Sequence, residues 1–304
     1  MQLNNDTEAL LGMLQEAGVK PFHQGSPEDA RAAMSQLMSL AVIADERVTV
    51  NDYFLPETGV KLRVTRPEAE PRAIMVYYHG GGWVCGSAND YDSVAHELAT
   101  KSSCLVVMVD YRLAPEHPFP IPLNDGWDAV QWVEAHRAEL NATGLPLIIA
   151  GDSSGGNLAA VLAQRALSNG PAIALQILVY PVTDFDPTRA SYTNPDNQML
   201  LTSDDMLWFW NHYAGSSTNR LDPQLSPLHS DDVSQLPPAM IISAEYDVLH
   251  DENKAYATKL EQAGVTVEHL DVKGEIHGFL GLMGVLATSN MAIGRIVLFI
   301  DKHL

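Results

Sequence analysis

Short apolar runs, typical of strands buried on both faces, alternate along the chain with stretches in which apolar residues recur every three or four positions, as in helices. The predicted strands are 47–54, 60–65, 73–78, 104–110, 145–150, 174–180, 238–244 and 265–272, the first two as a hairpin pair. Helices are predicted at about 91–100, 126–140, 252–264 and 288–303, with another directly after Ser153. This alternation predicts an α/β protein with a mostly parallel central sheet and helices on both faces.

Two regions lie outside this alternation. Residues 1–45 are predicted to form two amphipathic helices, the second capped by Ser26 with Pro27 in its first turn. A minimal parallel sheet does not need them, so we expect them to cover either an active-site mouth or a partner subunit in a homodimer. Residues 184–227 begin as loop and then contain a helix at 203–213 that is apolar nearly all round. Such a helix is buried between layers or forms a pocket wall.

The composition narrows the range of partners. A chain of 304 residues that is 46% hydrophobic can bury a substantial core, and its net charge of −20 repels nucleic acid and anionic membranes. The acidity is most simply explained by solubility, and adaptation to salt is the alternative. We find no signal peptide and no apolar run long enough to span a bilayer, so we expect a cytoplasmic protein. Two cysteines, Cys85 and Cys104, are too few for a disulfide framework.

The candidate chemistry centres on the run Gly151-Asp152-Ser153-Ser154-Gly155, which lies between a predicted strand and a predicted helix. A strand that turns sharply into a helix at Gly-x-Ser-x-Gly is a nucleophile elbow, in which the glycines avoid a collision across the bend. The helix would direct its N-terminal amides at Ser153, where negative charge develops during acyl transfer. The competing interpretation is a structural glycine-rich turn.

A serine nucleophile needs a base, and the base needs an acidic partner. For a serine on such an elbow, the acid and then the histidine follow in the chain. Asp247 comes just after the predicted strand 238–244 and is our candidate acid, with Glu245 as its rival. His277, which follows the strand 265–272 after a short loop, is our candidate base.

The run His79-Gly80-Gly81-Gly82-Trp83 follows the predicted strand 73–78. Three glycines allow backbone N–H groups to converge on one point, so with the amide of Ser154 they could bind an oxyanion. A phosphate cradle is the competing interpretation. The chain has no Gly-Lys-Ser/Thr sequence beside this run, which favours acyl transfer.

Four motifs in order resemble those of the hormone-sensitive-lipase-like family of microbial esterases, bacterial family IV of the α/β-hydrolase superfamily. The first is the run 79–83 and the third is the run 151–156, both described above. The second is Asp110-Tyr111-Arg112-Leu113-Ala114-Pro115-Glu116 followed by Phe119-Pro120, and the fourth is His277-Gly278-Phe279. The resemblance covers about residues 73–279. This chain departs from the family in having Ser154 where members commonly have Ala after the nucleophile. Because the expected contribution of Ser154 is its main-chain N–H, we expect little loss.

The resemblance implies an α/β-hydrolase fold with Ser153 as nucleophile, Asp247 as acid and His277 as base. It implies oxyanion donors on Gly81, Gly82 and Ser154, and we expect Trp83, Asp152, Leu207 and Trp208 in the substrate pocket. It also implies a cap built from residues 1–45 and 184–227. The catalytic domain would then comprise residues 46–183 and 228–304.

We therefore predict a carboxylesterase that hydrolyses short- to medium-chain acyl esters of small molecules through an acyl-enzyme. The predicted chemistry requires no metal and no organic cofactor. An amidase or acyltransferase with the same three residues remains an alternative, because the difference lies in pocket shape and water access. A ligand receptor of the same fold is a second alternative, although the family's receptors have lost the histidine. An interfacial lipase would need a large apolar lid.

Overall fold

The computed structural model describes residues 2–43, 47–215 and 218–304. The predicted boundary between residues 45 and 46 lies outside them. Within these ranges no helix is both long enough and apolar enough to cross a membrane.

The strands form one sheet in the order β1-β2-β4-β3-β5-β6-β7-β8. Their bounds are β1 Val48–Phe54, β2 Lys61–Pro67, β3 Ala73–Tyr78, β4 Cys104–Asp110, β5 Leu147–Asp152, β6 Ile173–Val179, β7 Ala239–Tyr246 and β8 Val267–Ile276. The β1/β2 and β2/β4 pairs are antiparallel, and the pairs from β4 to β8 are parallel. The predicted hairpin and the mostly parallel sheet are both confirmed.

The helices are α1 Asn5–Glu16, α2 Pro27–Met38, α3 Asp92–Ser102, α4 Ile121–Ala135, α5 Ser154–Asn169, α6 Ala190–Thr193, α7 Ser203–Tyr213, α8 His250–Gln262 and α9 Ala287–His303. The start of α2 is as predicted, because the Ser26 side chain accepts a hydrogen bond from the amide of Asp29 in a capping box. The predicted bounds of α4 were wrong at both ends. Pro122 fits its first turn, where no amide is needed, so the helix begins earlier than position 126.

The core consists of two apolar layers, one on each face of the sheet. Along β3, Ile74 and Val76 face a layer shared with α4, α5 and α8, whereas Met75 and Tyr77 face a layer shared with α3 and α9. Burial on both faces explains why β3 is a continuous apolar run rather than an alternating one. Each fully buried aliphatic side chain contributes about 1.5–3 kcal/mol, which makes the sheet a rigid support for the loops at its edge.

The carboxyl ends of the parallel strands meet at one edge of this sheet. Strand order reverses around β3, which pairs with β4 on one side and β5 on the other. In open α/β sheets, the crevice beside such a reversal is where ligands bind. His79, Ser153, Asp247 and His277 each directly follow a strand that ends at this edge.

Candidate active site

Ser153 lies at the turn between β5 and α5 in a strained backbone conformation, with φ +54° and ψ −121°. Its amide donates to the carbonyl of Val179, 2.9 Å away, and its carbonyl accepts from Asn157 at 3.0 Å. A side chain at Gly155 would overlap the carbonyl oxygens of Tyr78 and His79. The elbow therefore forms only because the sequence has glycine where β3 and α5 approach closely.

Three side chains from distant parts of the chain form one hydrogen-bonded line at the carboxyl edge. The Nε2 atom of His277 lies 2.9 Å from Oγ of Ser153, and its Nδ1 atom lies 2.7 Å from Oδ2 of Asp247. All three are buried, with exposed fractions of 7% for Ser153, 9% for His277 and 1% for Asp247. Since a carboxylate oxygen only accepts, the proton is assigned to Nδ1 and Nε2 is free to accept from the hydroxyl.

The structure separates Asp247 from its rival Glu245. The second oxygen of Asp247 accepts from the amide of Leu249 at 2.9 Å, which fixes the carboxylate toward His277. Glu245 instead accepts from the amide of Gly274, also at 2.9 Å, and from Lys273. Its carboxylate therefore supports β8 and does not contact the imidazole.

His277 follows β8 without the short loop predicted from the sequence. The β7/β8 register shifts between Ala244 and Tyr246, opposite a bulge in which Gly274 has φ +73°. The polar run Lys273-Gly274-Glu275 ends the apolar pattern at Val272, although the strand continues to Ile276. The bulge changes the direction of the end of the strand. The ring of His277 packs against the ring of Tyr180, with their centroids 4.6 Å apart.

The loop after β3 brings backbone amides to the same place. Gly81 and Gly82 have φ of +112° and +61°, and both line the cavity that contains Ser153. A side chain at Gly82 would overlap the ring of Phe209. The amide of Gly80 donates to the Tyr91 hydroxyl and to Asp152, whereas Gly81 and Gly82, the predicted oxyanion donors, line the cavity itself. The amide of Ser154 lies at the start of α5, the positive end of the helix dipole.

Asp152, next to Ser153, connects the elbow to this glycine loop. Its carboxylate accepts from Tyr77 at 3.0 Å, Tyr91 at 2.9 Å and the amide of Gly80 at 3.0 Å. Burial raises the pKa of Asp152 to about 6, against the opposing effect of the two tyrosine hydroxyls. The residue thus both lines the cavity, as predicted, and braces two of its loops.

A second buried carboxylate fixes the start of the 184–227 segment. Glu252 accepts from the amides of Thr183 and Asp184, at 2.7 and 3.2 Å, and from the hydroxyl of Tyr192. Burial raises the pKa of Glu252 well above its usual range. The first turn of α8 therefore positions the segment that carries Leu200 and α7.

The cavity at Ser153 has a volume of about 60 Å³. Much of its apolar lining comes from the N-terminal region and from the 184–227 segment. The N-terminal residues are Phe22, Met34, Leu37 and Met38, and those of the 184–227 segment are Leu200, Leu201, Met206 and Phe209. Met34, Leu37 and Met38 belong to α2, the second predicted amphipathic helix, and its apolar face meets the cavity. Phe22 and Leu200 lie in segments without periodicity, so no sequence signal pointed to them.

Three of the four predicted pocket residues lie elsewhere. Trp83 is fully buried and stacks on Tyr213 at 4.3 Å, behind the glycine loop. Leu207 and Trp208 are half-buried on another side of α7, because the helical period turns Met206 and Phe209 toward the cavity instead. Asp152 is the predicted pocket residue that reaches the cavity.

Comparison with known proteins gives consistent results. A family model described as alpha/beta hydrolase fold matches residues 75–281. An ethyl acetate hydrolase from Pseudomonas putida is 34% identical over the full length of both chains. A carboxylesterase, NlhH, from Mycobacterium tuberculosis is 36% identical over 88% of this chain and 86% of that protein. Among solved structures, a thermostable esterase from Pseudomonas putida superposes with a TM-score of 0.92 at 35% identity, covering 100% of this chain and 98% of the other.

Proposed function

Because the chain belongs to the hormone-sensitive-lipase-like family IV carboxylesterases of the α/β-hydrolase superfamily, we propose that Ser153, His277 and Asp247 are its catalytic triad. The protein is a carboxylic ester hydrolase whose substrates are small-molecule esters. One observation carries the proposal. The hydrogen-bonded line from Ser153 Oγ through His277 to Asp247 has distances of 2.9 and 2.7 Å, within the range for proton transfer.

In the first half of the proposed reaction, Ser153 Oγ attacks the ester carbonyl carbon while its proton passes to Nε2 of His277. The carbonyl oxygen becomes an oxyanion, bound by the amides of Gly81, Gly82 and Ser154. Asp247 stabilises the imidazolium that forms. The bond from the carbonyl carbon to the alcohol oxygen then breaks, and His277 gives its proton to that oxygen, which leaves an acyl group on Ser153.

In the second half, a water molecule attacks the acyl carbon and gives a proton to His277. A second oxyanion forms in the same site and collapses when the bond to Ser153 Oγ breaks. His277 returns its proton to Ser153, and the carboxylic acid leaves. The enzyme is regenerated with all protons accounted for.

The proposed substrates carry short- to medium-chain acyl groups. The cavity beside Ser153 is small and mostly apolar, which suits a short hydrocarbon chain. The name of one relative, ethyl acetate hydrolase, specifies an ester with a short acyl group. Both observations support the short end of the range.

We further propose that residues 1–45 and 184–227 form a cap over a catalytic domain made of residues 46–183 and 228–304. Phe22 and Phe209, one from each part, pack with ring centroids 5.4 Å apart beside the cavity. The two parts are also joined by a contact between Nδ1 of His23 and Oδ1 of the buried Asp205, which lie 2.8 Å apart. The two segments would then close over the substrate together.

Hydrolysis of p-nitrophenyl esters from acetyl to palmitoyl tests the proposal. We expect turnover of the short esters, a decline toward palmitoyl, and a loss of about 10³-fold or more in kcat for Ser153→Ala. Ser168→Ala, at an exposed serine on α5, the helix that follows Ser153, is the matched control and should behave as the parent. Full activity in Ser153→Ala would remove this residue from the mechanism.

A further inference from the structure

Two cavities with shared lining residues lie beside the proposed site. The inner cavity, of about 60 Å³, contains Ser153 and His277. An outer cavity, of about 410 Å³, lies between α1, α2 and residues 199–200. Phe22, Leu37 and Leu200 line both cavities and so form a partition between them. All three partition side chains are half-buried.

The outer cavity is suited to an apolar group. Lys20 is the one charged residue among the described residues that line it. Met13, Val19 and Leu40 also line it, with exposed fractions of 46%, 48% and 37%. Exposed apolar side chains are ordinary when scattered singly, whereas several around one concave surface mark a binding site. The volume lies within the range of about 300–1,000 Å³ typical of small-molecule pockets, and the inner cavity is far below it.

The position of the partition indicates whether the acyl group or the alcohol group of an ester extends into the outer cavity. A Cβ atom on Gly278 would lie 3.6 Å from a methyl carbon of Leu200, so this part of the partition lies beside the residue that follows His277. In the proposed reaction His277 gives its proton to the oxygen of the leaving alcohol. The alcohol therefore faces the imidazole, and its carbon chain is directed toward Leu200.

We infer that the preferred substrates join a short acyl group to a larger apolar alcohol, with the acyl group in the inner cavity and the alcohol in the outer one. Leu200, together with Phe22 and Leu37, sets this preference. The inference rests on the proposed function, because the orientation comes from the role of His277. It goes beyond that function by assigning the two halves of the ester to separate spaces.

Two substrate series test the assignment. In the first, acetate esters of ethanol, butanol and hexanol vary the alcohol, and in the second, ethyl esters of acetic, hexanoic and decanoic acid vary the acyl group. We expect kcat/KM to rise along the acetate series by up to about fourfold per methylene, the effect of burying one such group. Along the ethyl series we expect kcat/KM to fall, because the inner cavity has a volume of only about 60 Å³.

Leu200→Trp should enlarge the partition between the cavities. We expect the ratio of kcat/KM for hexyl acetate to kcat/KM for ethyl acetate to fall by about tenfold or more relative to the parent. Leu298→Trp, at a leucine on α9 that is 61% exposed, is the matched control and should change neither substrate. Leu37→Phe provides a second, milder partition variant in case Leu200→Trp folds poorly.

Three results would overturn the inference. A rise in kcat/KM along the ethyl series with a fall along the acetate series would reverse the two assignments. An equal loss on ethyl and hexyl acetate in both partition variants would show that these side chains do not discriminate by alcohol size. Absence of parent turnover on every ester, ethyl acetate included, would overturn the proposed function as well, which distinguishes the two failures.

Discussion

At the scale of single residues, Asp152 is the most unusual group near the proposed nucleophile. Its carboxylate is 2% exposed, and burial raises its pKa from the ordinary 3.8 to about 6. The two tyrosine hydroxyls and the Gly80 amide offset only part of that desolvation. Holding this charge next to Ser153 costs free energy, which the fold tolerates because the same carboxylate orders the glycine loop.

A pH series on Asp152→Asn tests this interpretation. A pKa raised in the folded state gives stability that is fully present below about pH 3.8 and lost as pH rises through about 6. We expect the free energy of unfolding of the parent, relative to Asp152→Asn, to fall by about 3 kcal/mol over this interval and then level off. Chemical denaturation at each pH measures it.

Asp231→Asn, at an exposed aspartate, is the control for that series and should track the parent throughout. Asparagine can keep the acceptor toward Tyr77 and Gly80, so the variant should fold. If the parent and Asp152→Asn show the same pH dependence, the carboxylate is not held in an unfavourable ionised state.

Residue-level prediction from the sequence worked where the local pattern contained the cause. The glycines of the elbow and the position of Ser153 follow from backbone sterics at a tight turn, and the structure has that turn. The choice between Asp247 and Glu245 was harder, because both lie at the end of one strand. It is decided by the β8 bulge, whose Gly274 amide binds Glu245, and no local pattern reveals that contact.

At the scale of elements, Arg31 ties α2 to the segment that follows the glycine loop, in addition to the apolar packing of the helix. Arg31 donates to the carbonyl of Val84 at 2.8 Å and of Ala114 at 2.9 Å, and it pairs with the carboxylate of Glu116. The hydrogen bonds from Arg31 hold the pKa of Glu116 at about 2. Because Glu116 is half exposed, the ion pair contributes less than the two bonds to carbonyls.

Arg31→Ala should therefore loosen α2. We expect amide hydrogen exchange in α2 to accelerate by about tenfold or more, the equivalent of one charged hydrogen bond, while β3 stays protected. Arg137→Ala, which removes an arginine paired with Glu134, is the control and should leave α2 unchanged. Unaltered exchange in α2 of Arg31→Ala would show that its apolar packing alone holds the helix.

Element prediction also failed for identifiable reasons. The predicted end of β8 came from the loss of apolar residues at Lys273, although a bulge with glycine at positive φ lets the strand continue. The predicted start of α4 disregarded Pro122, which is compatible with a first turn. In both cases a residue that commonly interrupts an element is compatible with the local backbone, Gly274 in a bulge and Pro122 in a first turn.

At the scale of the whole molecule, the sheet brings together residues that lie far apart in the chain. Ser153 and His277 are 124 positions apart and meet because β5 and β8 run parallel and end at one edge. The order of strands and helices could be predicted from periodicity, since it depends on local pattern. The cavity lining could not, because Phe22 and Leu200 reach it through the docking of two irregular segments.

The proposed mechanism requires Ser153 to carry the acyl group during ester hydrolysis. Rapid-quench mass spectrometry of the parent during turnover of p-nitrophenyl acetate tests it most directly. The peptide containing Ser153 should transiently gain one acetyl group, and His277→Gln should form that species at a rate reduced by about 10³-fold or more. Steady hydrolysis by the parent that never acetylates Ser153 at any quench time, with full activity retained in Ser153→Ala, would contradict the account.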